Sequence, residues 1–161
     1  GQHLLIKALS KTKNRSFHCI LLGDAQGRSK YVAYIKNLIQ KYDMVGNFTF
    51  VTHVEDVPAM MMLSSIVTST ALEPEAFGRM TIEGQAMGKI VLASNIGGSL
   101  DNTIDGVTGK LFESNNVVAL AETLDCGQSF RWVENSDKSF TGVAYGRDED
   151  RPFHAAGGRG I

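Results

Sequence analysis

Ser16-Phe-His-Cys-Ile-Leu-Leu22 followed by Gly23-Asp-Ala-Gln-Gly-Arg28 is the stretch on which the fold turns. Its first half is an apolar run rich in strand formers, and its second half is a turn-rich segment that stops the run. Past the turn, Tyr31, Ile35, Leu38, Ile39 and Tyr42 recur on one face of a helix. A buried strand, a polar turn and an amphipathic helix, in that order, form one βα unit. The pattern repeats downstream. Asn47 to Val51 reads as a second strand, and Asp56 caps a Met-rich helix through Leu63. Ile66 to Thr70 reads as a third strand, followed by an acidic loop and a helix over Met80 to Met87. Lys89 to Ser94 is a fourth strand, ended by the turn Asn95-Ile-Gly-Gly98. Asp105-Gly106 marks another turn, Thr108 to Phe112 a fifth strand, and Val117 to Leu124 a last helix begun by a Ser114-Asn115-Asn116 cap. Upstream of the opening stretch, Leu4 to Leu9 has helical spacing and Lys11 to Arg15 forms a basic turn.

Strands alternating with helices at this spacing predict an α/β fold, a Rossmann-like parallel sheet with helices on both faces, over residues 1–124. The strands are near-continuously apolar, as strands buried on both faces are. From Cys126 onward the character changes. Gly127 to Val133 and Ser139 to Tyr145, separated by Glu134-Asn-Ser-Asp137, read as the two arms of an antiparallel hairpin. Arg147 to Ile161 mixes charges with Ala-Ala-Gly-Gly-Arg-Gly and reads as a poorly ordered tail, so residues 125–161 form a hairpin and tail apart from the main domain.

Composition narrows the function. With 161 residues the prior is one domain with a real core, and 43% hydrophobic with 20% charged residues suits a soluble globular chain. A net charge of −1 argues against a general nucleic-acid or membrane-surface binder, which carries a basic excess. No apolar run reaches membrane-spanning length, and no signal peptide opens the chain. It starts at Gly1-Gln-His rather than Met, which suggests a fragment. Cys19 in an apolar, strand-like run and Cys126 in a glycine-rich turn form neither a zinc pattern nor a disulfide framework. The expected compartment is the reducing cytoplasm, with attachment to the inner face of the membrane as the outer limit. His3, His18, His53 and His154 show no metal-ligand spacing. Gly23-Asp-Ala-Gln-Gly27 is not a dinucleotide fingerprint. Met60, Met61, Met62, Met80 and Met87 read as core fillers.

The segment Glu75-Ala-Phe-Gly-Arg-Met-Thr-Ile-Glu83 holds the chemistry. With its second half helical, Glu75 lies in the loop at the helix mouth and Glu83 one turn inside. A ligand on that helix N-terminus would meet both carboxylates together with free backbone N–H groups. Carboxylates accept from sugar hydroxyls and helix amides hold phosphate. Spacing alone favours two solvated acids near a helix start. The strand ends favour the ligand reading. An open doubly wound sheet binds beyond the C-terminal ends of its strands. Those ends here are Gly23-Asp24, Thr52-His53, Ser69 to Phe77 and Ser94 to Gly98, all polar or glycine-rich.

Glu73-Pro-Glu-Ala-Phe-Gly-Arg-Met-Thr-Ile-Glu-Gly-Gln-Ala-Met-Gly88, then Val91-Leu-Ala-Ser-Asn-Ile-Gly-Gly98, then Asp105-Gly-Val-Thr-Gly109, resembles family 4 glycosyltransferases over residues 1 to about 124. The resemblance implies the donor-binding half of a GT-B enzyme, which transfers a sugar from a nucleotide diphosphate donor with retention, with no metal and no cofactor. By position, Glu75 resembles the catalytic first glutamate of that family's acidic motif, which meets the donor sugar. Glu83 resembles the second, on the ribose hydroxyls. Ala76, Phe77 and Gly78 would offer amides to sugar and phosphate, His53 and Val54 would hold the nucleobase by backbone, and Gly23 and Asp24 would lie near the phosphates. Ile90 replaces the usual proline and Asp101 the commoner glutamate. The family's diphosphate-neutralising Arg and Lys lie upstream of Gly1, and its N-terminal acceptor domain is missing from this sequence, leaving Arg79 and Lys89 as possible substitutes. The chain alone is therefore expected to have little or no transfer activity, and its acceptor is unknown. A non-catalytic nucleotide-binding or interaction module is the alternative.

Leu124-Asp-Cys-Gly-Gln-Ser-Phe-Arg-Trp132, with Thr141-Gly-Val-Ala-Tyr-Gly-Arg147, resembles the N-terminal β-region of 8-oxoguanine DNA glycosylases. Nothing in the chain supplies that family's helix-hairpin-helix or catalytic lysine and aspartate, so no nucleic-acid partner is expected and a DNA-repair fragment is the weakest reading.

Overall fold

A computed structural model describes residues 1–25, 27–52, 54–127 and 140–145. The opening stretch forms strand β1, Phe17–Leu22, and its helix α2, Ser29–Lys41. Along β1 the side chains alternate between faces, as a strand requires. Phe17, Cys19 and Leu21 enter one apolar cluster, and Ile20 and Leu22 enter another. This one strand therefore shows that both sides of the sheet are covered. On α2 the buried residues are Ile35, Leu38 and Ile39, with Tyr31 and Tyr42 half-buried at the ends of the same stripe.

Helix α1, Gln2–Leu9, precedes β1. Leu4, Leu5, Ile6, Ala8 and Leu9 are all buried, because α1 lies against the sheet with α2 and α6 beside it. Each large aliphatic side chain buried there contributes about 1.5–3 kcal/mol. After α2 a short 3-10 turn, Val45–Asn47, leads into β2, Phe48–Val51. Helix α3, Val57–Met62, starts at Asp56, whose carboxylate accepts from the Ala59 amide at 2.9 Å, the cap expected from sequence. Strand β3, Ile66–Ser69, is buried at every residue. Helix α4, Arg79–Ala86, β4, Ile90–Ser94, α5, Gly98–Asn102, and β5, Lys110–Phe112, follow. Helix α6, Val117–Gly127, opens with the Asn116 side chain accepting from the amides of Val118 and Ala119, both at 3.0 Å.

The larger core joins α1, α2 and α6 to one face of the sheet, and Met61, Val67 and Met80 tie α3 and α4 to the other. The fold class is as expected: a parallel sheet with helices on both faces.

Two local expectations need correction. The segment read only as a turn at Asn95–Gly98 continues into α5. Five residues opening on paired glycines give too little periodicity to signal a helix. The second correction is at the C-terminus. Residues Phe140–Tyr145 form a strand, β6, but it is not the arm of an antiparallel hairpin. It lies between β1 and β3, parallel to both, giving the strand order β2-β1-β6-β3-β4-β5. A hairpin satisfies one row of backbone groups on this segment, whereas the gap between β1 and β3 satisfies two. Gly127, the first residue of the expected hairpin, closes α6. The rest of its first arm and the tail from Arg147 lie outside the described residues.

Candidate functional site

The acidic loop sits at the C-terminal end of β3 and is fastened to the start of α5 by direct backbone contact. Gly98 N–H donates to Glu75 C=O at 2.7 Å. The Asn102 side-chain amide, at the end of α5, donates to Phe77 C=O. Glycines make the approach possible. A Cβ on Gly97 would stand 2.5 Å from Glu75 O, and one on Gly98 would stand 2.4 Å from Phe77 C. Gly97 has φ +58° and ψ −148°, a region essentially reserved for glycine. Gly78, the N-cap of α4, is left-handed at φ +58° and packs on the Gly98 carbonyl carbon.

This fastening leaves α4 without a side-chain cap. Thr81 turns inward, its hydroxyl donating to Gly78 C=O at 2.6 Å. Among the described residues, no acceptor is bonded to the amides of Ala76, Phe77 or Gly78. Three successive donors thus stand at the positive end of a helix dipole, an arrangement suited to an anion. Phe77 is exposed.

Glu75 is in the loop and Glu83 one turn into α4, as expected. Glu83 is half-buried and lies 3.8 Å from Arg79 on the same helix. Burial holds its carboxyl above the usual glutamate range, with Arg79 pulling weakly the other way. Such a carboxylate is short of hydrogen-bond donors and gains from a ligand hydroxyl. Arg79 is exposed and runs along α4 beside Glu83. Lys89 donates to Met62 C=O at 2.9 Å, beyond the far end of α4, and is no part of the site.

Glu75 lies in the loop whose Thr70 packs against the start of α1 at Gly1. Gly1 also lines a cavity of about 560 Å³ with Gln2, His3, Arg28, Lys30, Tyr31 and Leu72. The cavity lies between α1 and the start of α2, with Leu72 of the acidic loop at its edge, and Glu75, Phe77 and Gly78 are not among its lining residues. Tyr31 is fixed at its wall by donating to Gln2 Oε1 at 3.1 Å and by an edge-on contact with His3.

Gly23 closes β1, its N–H donating to Val51 C=O at 2.9 Å, and Asp24 is exposed beside it. Val54 is half-buried against Ile20 and Leu22. His53 lies outside the described residues. The sequence pattern missed the structural work of Gly97, Gly98 and Asn102, and the cationic wall formed by Arg28 and Lys30. The paired glycines at a strand end were the available signal for the first group.

The polar strand ends, Glu75 and the start of α4 lie along one rim of the sheet, the rim at which open parallel α/β sheets bind ligands. Residues 1–126 match the family described as glycosyl transferases group 1, and the chain belongs to it. It is 30% identical over 125 residues to an uncharacterized glycosyltransferase of Methanocaldococcus jannaschii, covering 77% of this chain and 33% of that protein. A crystal structure of a glycosyltransferase from Rickettsia africae superposes with a TM-score of 0.77 at 38% identity, covering 80% of this chain and 34% of that one. Anabaena HepE in complex with UDP and glucose superposes with a TM-score of 0.74 at 31% identity, covering 78% and 34%. The chain therefore spans about a third of the length of the relatives it matches. Residues 110–149 also match the N-terminal domain of 8-oxoguanine DNA glycosylase. Among the described residues, no helix is long and apolar enough to cross a membrane, and no group of His, Cys, Asp and Glu is placed to hold a metal.

Proposed function

We propose that this domain is the donor-binding half of a retaining glycosyltransferase that takes a nucleotide diphosphate sugar. The observation that carries the reading is the row of unbonded amides at Ala76, Phe77 and Gly78, held in place by the Gly97-Gly98 backbone between Glu75 and a half-buried Glu83. The amides take a phosphate or sugar oxygen, Glu83 accepts from the ribose hydroxyls, and Glu75 meets the sugar. Gly23, Asp24 and Val54 border the same ligand at the neighbouring strand ends. The UDP and UDP-glucose complexes of Anabaena HepE support this class of donor.

In such a transfer the bond between the anomeric carbon and the diphosphate breaks, and negative charge grows on the departing diphosphate. Backbone amides held in a fixed loop would stabilise that charge with little reorganisation. Arg28 and Lys30 on the cavity wall add positive charge on the α1 side. Closure by an acceptor domain, which would exclude water, is needed for turnover, so the chain by itself binds donor but transfers little.

Calorimetric titration with UDP, GDP and ADP, free and sugar-linked, tests the reading. Binding of at least one diphosphate, abolished in Glu83→Ala, is the expected result. No binding to any of them at millimolar concentration rejects it.

A further inference from the structure

Helix α5 is only five residues long, and a helix that short is not held by its own backbone. Its start is fixed by the close approach of Gly97 and Gly98 to the acidic loop. Its end is fixed from α4. Gln85 Nε2 donates to Asn102 C=O at 2.9 Å, a carbonyl at a helix terminus with no partner further along its own helix. The same Nε2 donates to Thr108 Oγ1 at 3.3 Å, and that hydroxyl oxygen accepts from the Ile104 N–H at 2.9 Å. One side chain therefore joins α4 both to the end of α5 and to the turn before β5.

The residue held in this way is the one that holds the acidic loop. The Asn102 side-chain amide donates to Phe77 C=O, and Phe77 is the middle one of the three residues whose amides are unbonded. The links close a ring. It runs from Phe77 through the Asn102 side chain to the Asn102 carbonyl, through Gln85 into α4, and back along α4 to Gly78. Gly84 seats the ring on the sheet: a Cβ there would stand 2.9 Å from Val91 Cγ2 and 3.2 Å from the Val67 side chain. Glu83 and Gln85 flank this seat. Residues two apart on a helix do not share a face, so Gln85 stands away from Glu83 and reaches a ligand only through Asn102.

We propose that Gln85 is a positioning residue of the donor site. It orients Asn102, and through Asn102 it fixes the backbone of residues 76–78 relative to Glu83. This rests on the donor reading given above. The role needs a long side chain that donates to a carbonyl and a hydroxyl at once. A glutamine amide does so with its two N–H groups. A glutamate of the same shape sets a carboxylate against the Asn102 carbonyl and has no proton to give at neutral pH, whereas a lysine keeps the donors.

Two measurements on the full chain test this. Without ligand, NMR relaxation reads the order of the 76–78 amides. Wild type and Gln85→Lys should give order parameters of about 0.85, as in α4. Gln85→Met and Gln85→Glu should fall below about 0.6 there, with β3 and β4 unchanged. With ligand, calorimetry with UDP, GDP and ADP should show about three- to tenfold weaker binding in Gln85→Met and Gln85→Glu, the loss of one oriented hydrogen bond, and wild-type affinity in Gln85→Lys. Adding Gln85→Met to Asn102→Ala should weaken binding no further than Asn102→Ala alone, because the two act in series. Should Gln85→Met fail to fold, Gln85→Lys against Gln85→Glu decides. Additive losses overturn the proposal, as does equal binding by these two variants. Wild type that binds no diphosphate, with the relaxation differences present, sinks the donor reading and the role of Gln85 with it. Wild type that binds, with no difference among the variants, sinks the role of Gln85 alone.

Discussion

Gly97→Ala should cost far more than an ordinary exposed turn substitution, and the structure separates its causes. The first is conformational. At φ +58° and ψ −148°, an alanine is held in a region that costs about 1–3 kcal/mol. The second is steric. The new Cβ falls 2.5 Å from Glu75 O and 2.6 Å from Glu75 N, and both are backbone atoms that cannot rotate away. Overpacking of this kind costs about 1–3 kcal/mol. The expected destabilisation is therefore about 2–6 kcal/mol, a large part of the 5–15 kcal/mol typical of a domain. Two controls isolate the terms. Gly88 has φ +65° with no atom within 4 Å of a Cβ, so Gly88→Ala carries only the backbone cost of about 1–2 kcal/mol. Gly46 has neither a positive φ nor a close neighbour, and Gly46→Ala should stabilise by about 0.4–1 kcal/mol. Urea unfolding of the three variants gives the comparison, with the m-value unchanged for each. If Gly97→Ala loses no more than Gly88→Ala, the acidic loop is not fastened to α5 and the proposed amide cradle has no support.

Three further outcomes follow from the site and the core. A ribose hydroxyl stabilises only the charged form of Glu83, so affinity for a nucleoside diphosphate should fall as pH drops through a carboxyl pKa raised above its ordinary 4.5, and calorimetry of Glu83→Gln should show weaker binding without that dependence. Stability runs the opposite way: with the folded pKa above the unfolded one, the contribution of Glu83 is full below the unfolded pKa and is lost as pH rises through the folded value, so at pH 7 thermal melting of Glu83→Gln should be no easier than that of wild type. Asn102→Ala removes the side-chain bond to Phe77 C=O and should cost about 1 kcal/mol in urea unfolding while weakening diphosphate binding; stability loss with unchanged binding would detach Asn102 from the site. The buried Cys19 thiol, pushed up to about 12, should resist a thiol reagent in the native protein, while exposed Cys126 reacts; one fast thiol in native protein and two after denaturation is the expected count.

The sequence made the alternation of strands and helices legible because β1 and β3 are buried on both sides and so carry no charged residue and, apart from His18, Thr68 and Ser69, only apolar ones. Asp56 and Asn116 were legible as caps because capping is a local event between a side chain and an amide three or fewer residues on. The same locality put Glu75 before α4 and Glu83 within it. What was not legible is nonlocal. The contact of Gly97 and Gly98 with residues 75–78 joins two loops after different strands, and a glycine pair alone signals only a turn. The Arg28 and Lys30 wall needs α1 folded across from it before it bounds a cavity. The partners of Phe140–Tyr145 were misjudged for the same reason: nearby turn residues suggested a hairpin, while the vacancy that accepts the strand is set by β1 and β3.

The position of that strand has a consequence for the order of folding. Phe17 finds its partner Phe140 about 120 positions later, so the central ladder is among the most distant pairings available to the chain. Helices and the outer ladders can form early, whereas the two central ladders close only across this long sequence separation, which makes them the slow pairings of the sheet.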